Sequence, residues 1–172
     1  MLGQNIYPME KYVIVSFINS SEIPNTFPSS EWPLHLTLLR NFTIKSPLEN
    51  LLEELDKCSK NIKAFNMLVE NESVFGSNKN IPVSVLQVNK NVTELHADLV
   101  TIADKLGAVY DDPQFVGEGY KPHVTVQGEN KLNVGQNILV DNIALASFVK
   151  RPEGKMVKII RTFYSKGDSV DM

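Results

Sequence analysis

Two stretches of the chain, LHLTLLRNF (34–42) and YKPHVTVQ (120–127), carry an alternation that suits a β-strand with two unlike faces. Side chains on a strand point to opposite sides in turn. His35 and Thr37 therefore share one face, roughly 6.6–6.8 Å apart along the strand, while Leu34, Leu36 and Leu38 share the other. In the second stretch His123 and Thr125 face one way, Val124 and Val126 the other. Each strand must bury one face against a core and present a polar pair on the opposite side. The chain has 3 histidines, and two of them sit in this frame.

The rest of the sequence supplies the layers such strands need. YVIVSFI (12–18) reads as a buried strand, followed by a polar loop, SSEIPNTFPSSEWP (20–33), of a length that often carries function. A helix is expected over 46–62, with Ser46 as N-cap, Pro47 at the first helical position and Glu49 completing a capping box. Its apolar stripe is Leu48, Leu51, Leu52, Leu55 and Ile62. FNMLVENESVFG (65–76) and IPVSVLQVN (81–89) read as strands joined by a turn at SNKN (77–80). A second helix is expected to open at Asn91, with Leu95, Leu99, Ile102, Ala103 and Leu106 as its stripe and Gly107 as its stop. YKPHVTVQ, ILVDNIALASFV (138–149) and MVKIIRTFYSK (156–166) complete the strands. The order predicts an α+β domain over residues 1–172, mostly antiparallel, with one helix and one His-x-Thr strand in each half.

A net charge of −3 and a pI near 5.6 argue against broad duplex binding, which draws on many cation–phosphate contacts. They leave room for a small anionic ligand or a strand end. The single Cys58 cannot form an internal disulfide, consistent with a reducing interior. The N-terminus, MLGQNIYPMEKY, lacks the basic start and apolar core of a signal peptide. No window approaches a membrane span. A cytoplasmic protein without membrane contact or obligate protein partner is expected. Neither metal nor cofactor is expected, because there is no His-x-His, HExxH or cysteine pair, Asp111–Asp112 fall in a turn, and VGEGYKP (116–122) has no helix after it.

An imidazole takes or gives a proton near neutral pH, and a threonine hydroxyl donates a hydrogen bond to a phosphoryl oxygen. Side by side, the two strands would converge two imidazoles and two hydroxyls on one point. That set suits displacement at phosphorus, one histidine activating the nucleophile and the other protonating the leaving oxygen. The ordinary alternative is two strand histidines satisfied by polar neighbours.

With HLTLL at the first motif and KPHVTV at the second, 88 residues apart from His35 to His123, the sequence resembles the two-histidine (2H) phosphoesterase superfamily. Its LigT-like members are often labelled 2′-5′ RNA ligase or RNA 2′,3′-cyclic phosphodiesterase. The likeness runs from about Tyr12 to Tyr164. It implies a bilobal fold of two mostly antiparallel sheets with pseudo-twofold symmetry about an open cleft, and no metal requirement. By motif match, His35 and His123 would be the acid/base pair and Thr37 and Thr125 the phosphate-binding hydroxyls. Family substrates include 2′,3′-cyclic phosphates at RNA ends, small cyclic phosphates, 2′-5′ oligoadenylates and cyclic oligonucleotides. The chain departs from ligase-labelled members in lacking a strongly basic surface.

Other residues fall around this centre. Tyr120 and Lys121 precede the second motif and are candidates for base stacking and phosphate contact at the rim, with packing and solvation as the ordinary readings. Arg40 is expected on the face opposite His35, in an edge or loop role. His96, on the second helix without a threonine two residues on, is read as structural or surface, and its replacement as harmless. Trp32 is read as a packing residue, with a stacking platform beside the active strand as the alternative, and the basic segment 150–166 as a solvated hairpin able to border the cleft. The expected function is a metal-independent phosphodiesterase acting on a 2′,3′-cyclic phosphate or 2′-linked nucleotide at an RNA end or in a free nucleotide. The assignment adopted is His123 as base and His35 as acid, although the motifs themselves are symmetric. The alternative is an inactive nucleotide- or RNA-end-binding module with the same cleft.

Overall fold

The computed structural model describes residues 10–19 and 22–166; the N-terminal stretch read for a leader (1–9) lies outside them. Among the described residues, ten strands and two α-helices follow in the order β1 (Tyr12–Phe17), β2 (Thr26–Pro28), β3 (His35–Thr43), α1 (Leu48–Lys60), β4 (Phe65–Phe75), β5 (Ile81–Leu86), α2 (Lys90–Lys105), β6 (Val109–Tyr110), β7 (His123–Thr125), β8 (Asn137–Val140), β9 (Asn142–Arg151) and β10 (Gly154–Tyr164). All pairs between these strands are antiparallel.

The strands form one path, β2-β10-β9-β1-β3-β7-β5-β4-β8, with β6 added to β3. Where two sheets were expected, the two halves are joined at a seam of one residue pair, Leu36 with Val124. That seam puts the two His-x-Thr strands side by side in the middle of the sheet. Both helices cover one face. Leu51 and Leu55 of α1 and Leu95, Leu99 and Ala103 of α2 bury against Ile14, Leu36, Leu38, Met67, Leu86 and Val124. The opposite face of the first half is covered in part by the 22–34 segment, where Phe27, Ile23 and Trp32 pack on Val15, Phe17 and Val157. All six residues of β1 are buried because it has a layer on each side, which accounts for its unbroken apolar run.

Several local expectations change. Helix α1 has Pro47 at its N-cap without a side-chain cap bond, so Ser46 and Glu49 form no capping box. Helix α2 is capped by Asn89, whose side chain accepts from the Val92 N–H. Gly107 ends it with φ +83, a conformation glycine adopts without strain. The run 138–149 is two strands, broken at Asp141. β8 pairs with β4 at one edge, and β9 crosses to lie between β1 and β10. Side-chain alternation fits either arrangement, so only the pairing partners separate them.

Candidate active site

The seam fixes the histidines. Leu36 opposite Val124 in antiparallel register sets His35 against Thr125 and Thr37 against His123. The imidazoles then sit on a diagonal, where Cβ atoms are roughly 7–8 Å apart. Leu36 and Val124 point into the helix-covered core, so the four polar side chains face the other way. There they line one cleft of about 920 Å³. The structure thus brings together His35, Thr37, His123 and Thr125, with Tyr120 and Lys121 in the same lining.

Both imidazoles are oriented by the same device. His35 Nδ1 donates to the Pro33 carbonyl at 2.8 Å, and His123 Nδ1 donates to the Lys121 carbonyl at 2.8 Å. A carbonyl can only accept, so each ring carries its proton on Nδ1 and keeps Nε2 for the cleft. Ahead of the second motif Pro122 biases Lys121, whose carbonyl accepts from His123, to extended backbone. Among the described residues neither threonine hydroxyl is hydrogen-bonded, leaving both for a ligand.

The surroundings of the two rings differ. Trp32 lies against His35 with centroids 4.3 Å apart, and Phe17 meets the same ring edge-on at 6.3 Å. His123 touches one aromatic ring, Phe75, at 4.7 Å. Burial lowers the His35 pKa to about 4, with a smaller contribution from His123. His123 is also lowered, by burial first and then by the Arg40 charge. Both rings are therefore neutral at pH 7.

Two residues, Leu39 and Arg40, take places that alternation did not predict. Strand β3 carries extra residues relative to β1, since Val15 pairs with Thr37, Ile14 with Leu39 and Tyr12 with Phe42. These irregularities bury Leu38 and Leu39 together and turn Arg40 onto the cleft face, beside His35 and not opposite it. Arg40 pairs with Asp112 at 3.2 Å and lies over the Phe115 ring at 5.1 Å. The only sequence hint was the Leu38–Leu39 doublet, which breaks a period of two.

His96 is buried and fully engaged, which bears on the expectation that it is dispensable. Its Nδ1 donates to the Leu38 carbonyl at 2.7 Å, and its Nε2 accepts from the Gly117 N–H at 2.9 Å. Tyr120 stacks on its ring at 4.0 Å, nearly parallel. The Tyr120 hydroxyl, held protonated by burial, donates to the Thr37 carbonyl at 2.8 Å. One Tyr120 face is covered and its hydroxyl is occupied, so it braces Thr37 from within the cleft lining. Trp32 packs as expected, on Phe27, but also forms the wall behind His35. Of the basic hairpin, Lys155 lies over Phe148, which lines the cleft.

Among the described residues no group of three or more His, Cys, Asp or Glu side chains is placed to hold a metal ion. No helix among them is long and apolar enough to cross a membrane.

Residues 21–145 match the profile of the 2′-5′ RNA ligase superfamily. Among solved structures the chain is similar to TT0787 of Thermus thermophilus, at 16% identity and a TM-score of 0.62, covering 92% of this chain and 99% of that one. It is similar to E. coli LigT in apo form at 11% identity and a TM-score of 0.62, covering 91% and 98%. A third structure, of a phosphoesterase, aligns at 10% identity and a TM-score of 0.61, covering 92% and 99%. At these identities the likeness is one of fold. No curated protein sequence matches the chain.

Proposed function

Because the chain belongs to the 2′-5′ RNA ligase superfamily, we propose that it is a phosphodiesterase that opens a 2′,3′-cyclic phosphate or cleaves a 2′-linked phosphodiester of a nucleotide or RNA end. The observation that carries this reading is the seam pair Leu36–Val124, which sets two Nδ1-anchored imidazoles and two unbonded threonine hydroxyls around one point. E. coli LigT, similar in fold, has been crystallised in complex with 3′-AMP and with ATP, which supports a nucleotide in such a cleft.

The enclosure of the rings favours reversing the roles adopted from the sequence. A general base must be neutral before reaction, and His35, whose pKa is pushed to about 4, is the ring held most firmly neutral. His123 is less enclosed, and the charge of a bound phosphate draws a proton to it more readily. In the reaction, His35 Nε2 takes a proton from water as the water oxygen bonds to phosphorus. The bond from phosphorus to one ribose oxygen breaks, and His123 Nε2–H gives that oxygen its proton. The product is a phosphomonoester, and the second turnover begins once the proton returns from His35 to His123 through solvent. Thr37 and Thr125 donate to the non-bridging oxygens as charge builds there. The deciding experiment incubates the protein with 2′,3′-cyclic AMP and follows the product by phosphorus NMR. A new phosphomonoester resonance is expected; saturable binding without turnover would leave a nucleotide-binding module.

A further inference from the structure

The proton-transfer scheme leaves three charged groups of the cleft lining unused, Arg40, Lys121 and Asp112, and of these Arg40 is the cation held in place by partners. Arg40 is the third residue beyond Thr37, and the irregular pairing of β3 turns it toward the ligand space. Its Cα lies roughly 10 Å along the strand from that of Thr37 at full extension, less across a bulge.

Its surroundings hold the guanidinium ready. Asp112 takes one terminal nitrogen at 3.2 Å, and Phe115 covers the group at 5.1 Å. A guanidinium carries five N–H donors in a planar fork, so one carboxylate oxygen leaves most of them for a ligand. Its side chain is 44% exposed and lines the cleft. Pre-ordering by Asp112 and Phe115 reduces the entropy lost when an anion is captured. Among the described residues Asp112 is the one acidic residue in the cleft lining, and it is already paired. At about 920 Å³ the cleft stands at the upper end of the range that encloses drug-sized ligands, about 300–1,000 Å³, well beyond what one cyclic phosphate fills.

We propose that Arg40 binds a second phosphate of the substrate, so that the preferred class is a nucleotide carrying a further phosphoryl group beside the phosphodiester under attack. The proposal rests on the reading of the cleft given above. The competing role for Arg40 is a brace that holds the 111–117 segment through Asp112. A brace would affect every ligand alike; an anion site affects only those with the second phosphate.

The test is calorimetric binding of two probes, 3′-AMP and adenosine 3′,5′-bisphosphate, to wild type and Arg40→Gln at one ionic strength. Wild type is expected to bind the bisphosphate about tenfold tighter or more, the effect of one charge-assisted contact. Arg40→Gln should abolish that preference and change 3′-AMP affinity less than about threefold. Absence of the preference in wild type, or equal weakening of both probes in the variant, overturns the proposal. The kinetic arm uses adenosine 2′,3′-cyclic phosphate with and without a 5′-phosphate. Arg40→Gln, assayed at its own pH optimum because the lost charge also raises the His123 pKa, should raise KM about tenfold for the phosphorylated substrate only. If wild type turns over neither substrate but keeps an Arg40-dependent preference for the bisphosphate, the catalytic reading fails and the anion site stands.

Discussion

His35 stands between Trp32 and Phe17, while His123 meets Phe75 alone and lies within the field of Arg40. The strands that carry them are closely matched: a proline one or two residues ahead, an Nδ1 bond to the carbonyl two residues back, and a threonine two residues on. Two equal motifs thus become unequal groups through what packs on them. Desolvation is the larger effect at both rings, and it is the more complete at His35. In the proposed scheme it is the walls of the cleft, which the motifs do not encode, that tell acid from base.

The largest effects should come from removing the pair. His35→Ala and His123→Ala should each lower kcat/KM by about 10²–10⁴-fold while leaving the thermal unfolding transition cooperative. If either is dispensable, the paired mechanism is wrong. Thr37→Ala and Thr125→Ala should cost about 10²–10³-fold at most, the worth of one donor to developing charge.

The asymmetry itself can be broken by opening each wall. The pH profile of kcat/KM should be bell-shaped with its maximum below about 6.5, the ordinary histidine value, and its acid limb near the His35 value of about 4. Trp32→Ala hydrates His35 and should move the acid limb upward. Phe75→Ala should move the alkaline limb upward instead. Shifts of both limbs together in either variant would show that the rings titrate as one coupled unit. The same linkage acts on stability. A histidine whose pKa is lowered by folding leaves the unfolded state holding more protons between the two values. Stability contributed by neutral His35 is therefore full above about pH 6.5 and is lost as pH falls toward about 4, which melts across that window would record.

Smaller effects follow outside the pair. His96→Ala removes bonds to the Leu38 carbonyl and the Gly117 N–H and the ring beneath Tyr120. It should destabilise the protein by about 1–3 kcal/mol by denaturant titration and lower turnover less than either motif histidine does. This departs from the sequence-based expectation of wild-type behaviour. The smallest effect should be that of EDTA, which should leave turnover unchanged because both proton transfers are assigned to imidazole. Activity restored only by added Mg²⁺ would refute that assignment.

The parts of the fold legible in the sequence were those whose side chains repeat with a fixed period. Helix stripes such as Leu95, Leu99 and Ala103, and the alternation around His35 and His123, named their own buried faces. Arg40 was misplaced because a bulge adds a residue without any change of composition. The break at Asp141 was hidden because both β8 and β9 are apolar, and partner choice depends on the whole sheet. His96 looked idle because both of its hydrogen-bond partners are backbone atoms, which carry no sequence mark.

The crossing at Asp141 has a consequence for how the chain is made. Tyr12 pairs with Ser147, and β10 closes the same side of the sheet, so the half that holds His35 takes strands from both ends of the sequence. During synthesis β1 must wait for β9 and β10 to emerge, whereas the β4–β5 hairpin and both helices can form earlier. Contacts so distant in sequence make folding slow and leave strand edges unpaired in the meantime. The seam that joins the two histidines, Leu36 with Val124, is itself such a long-range contact.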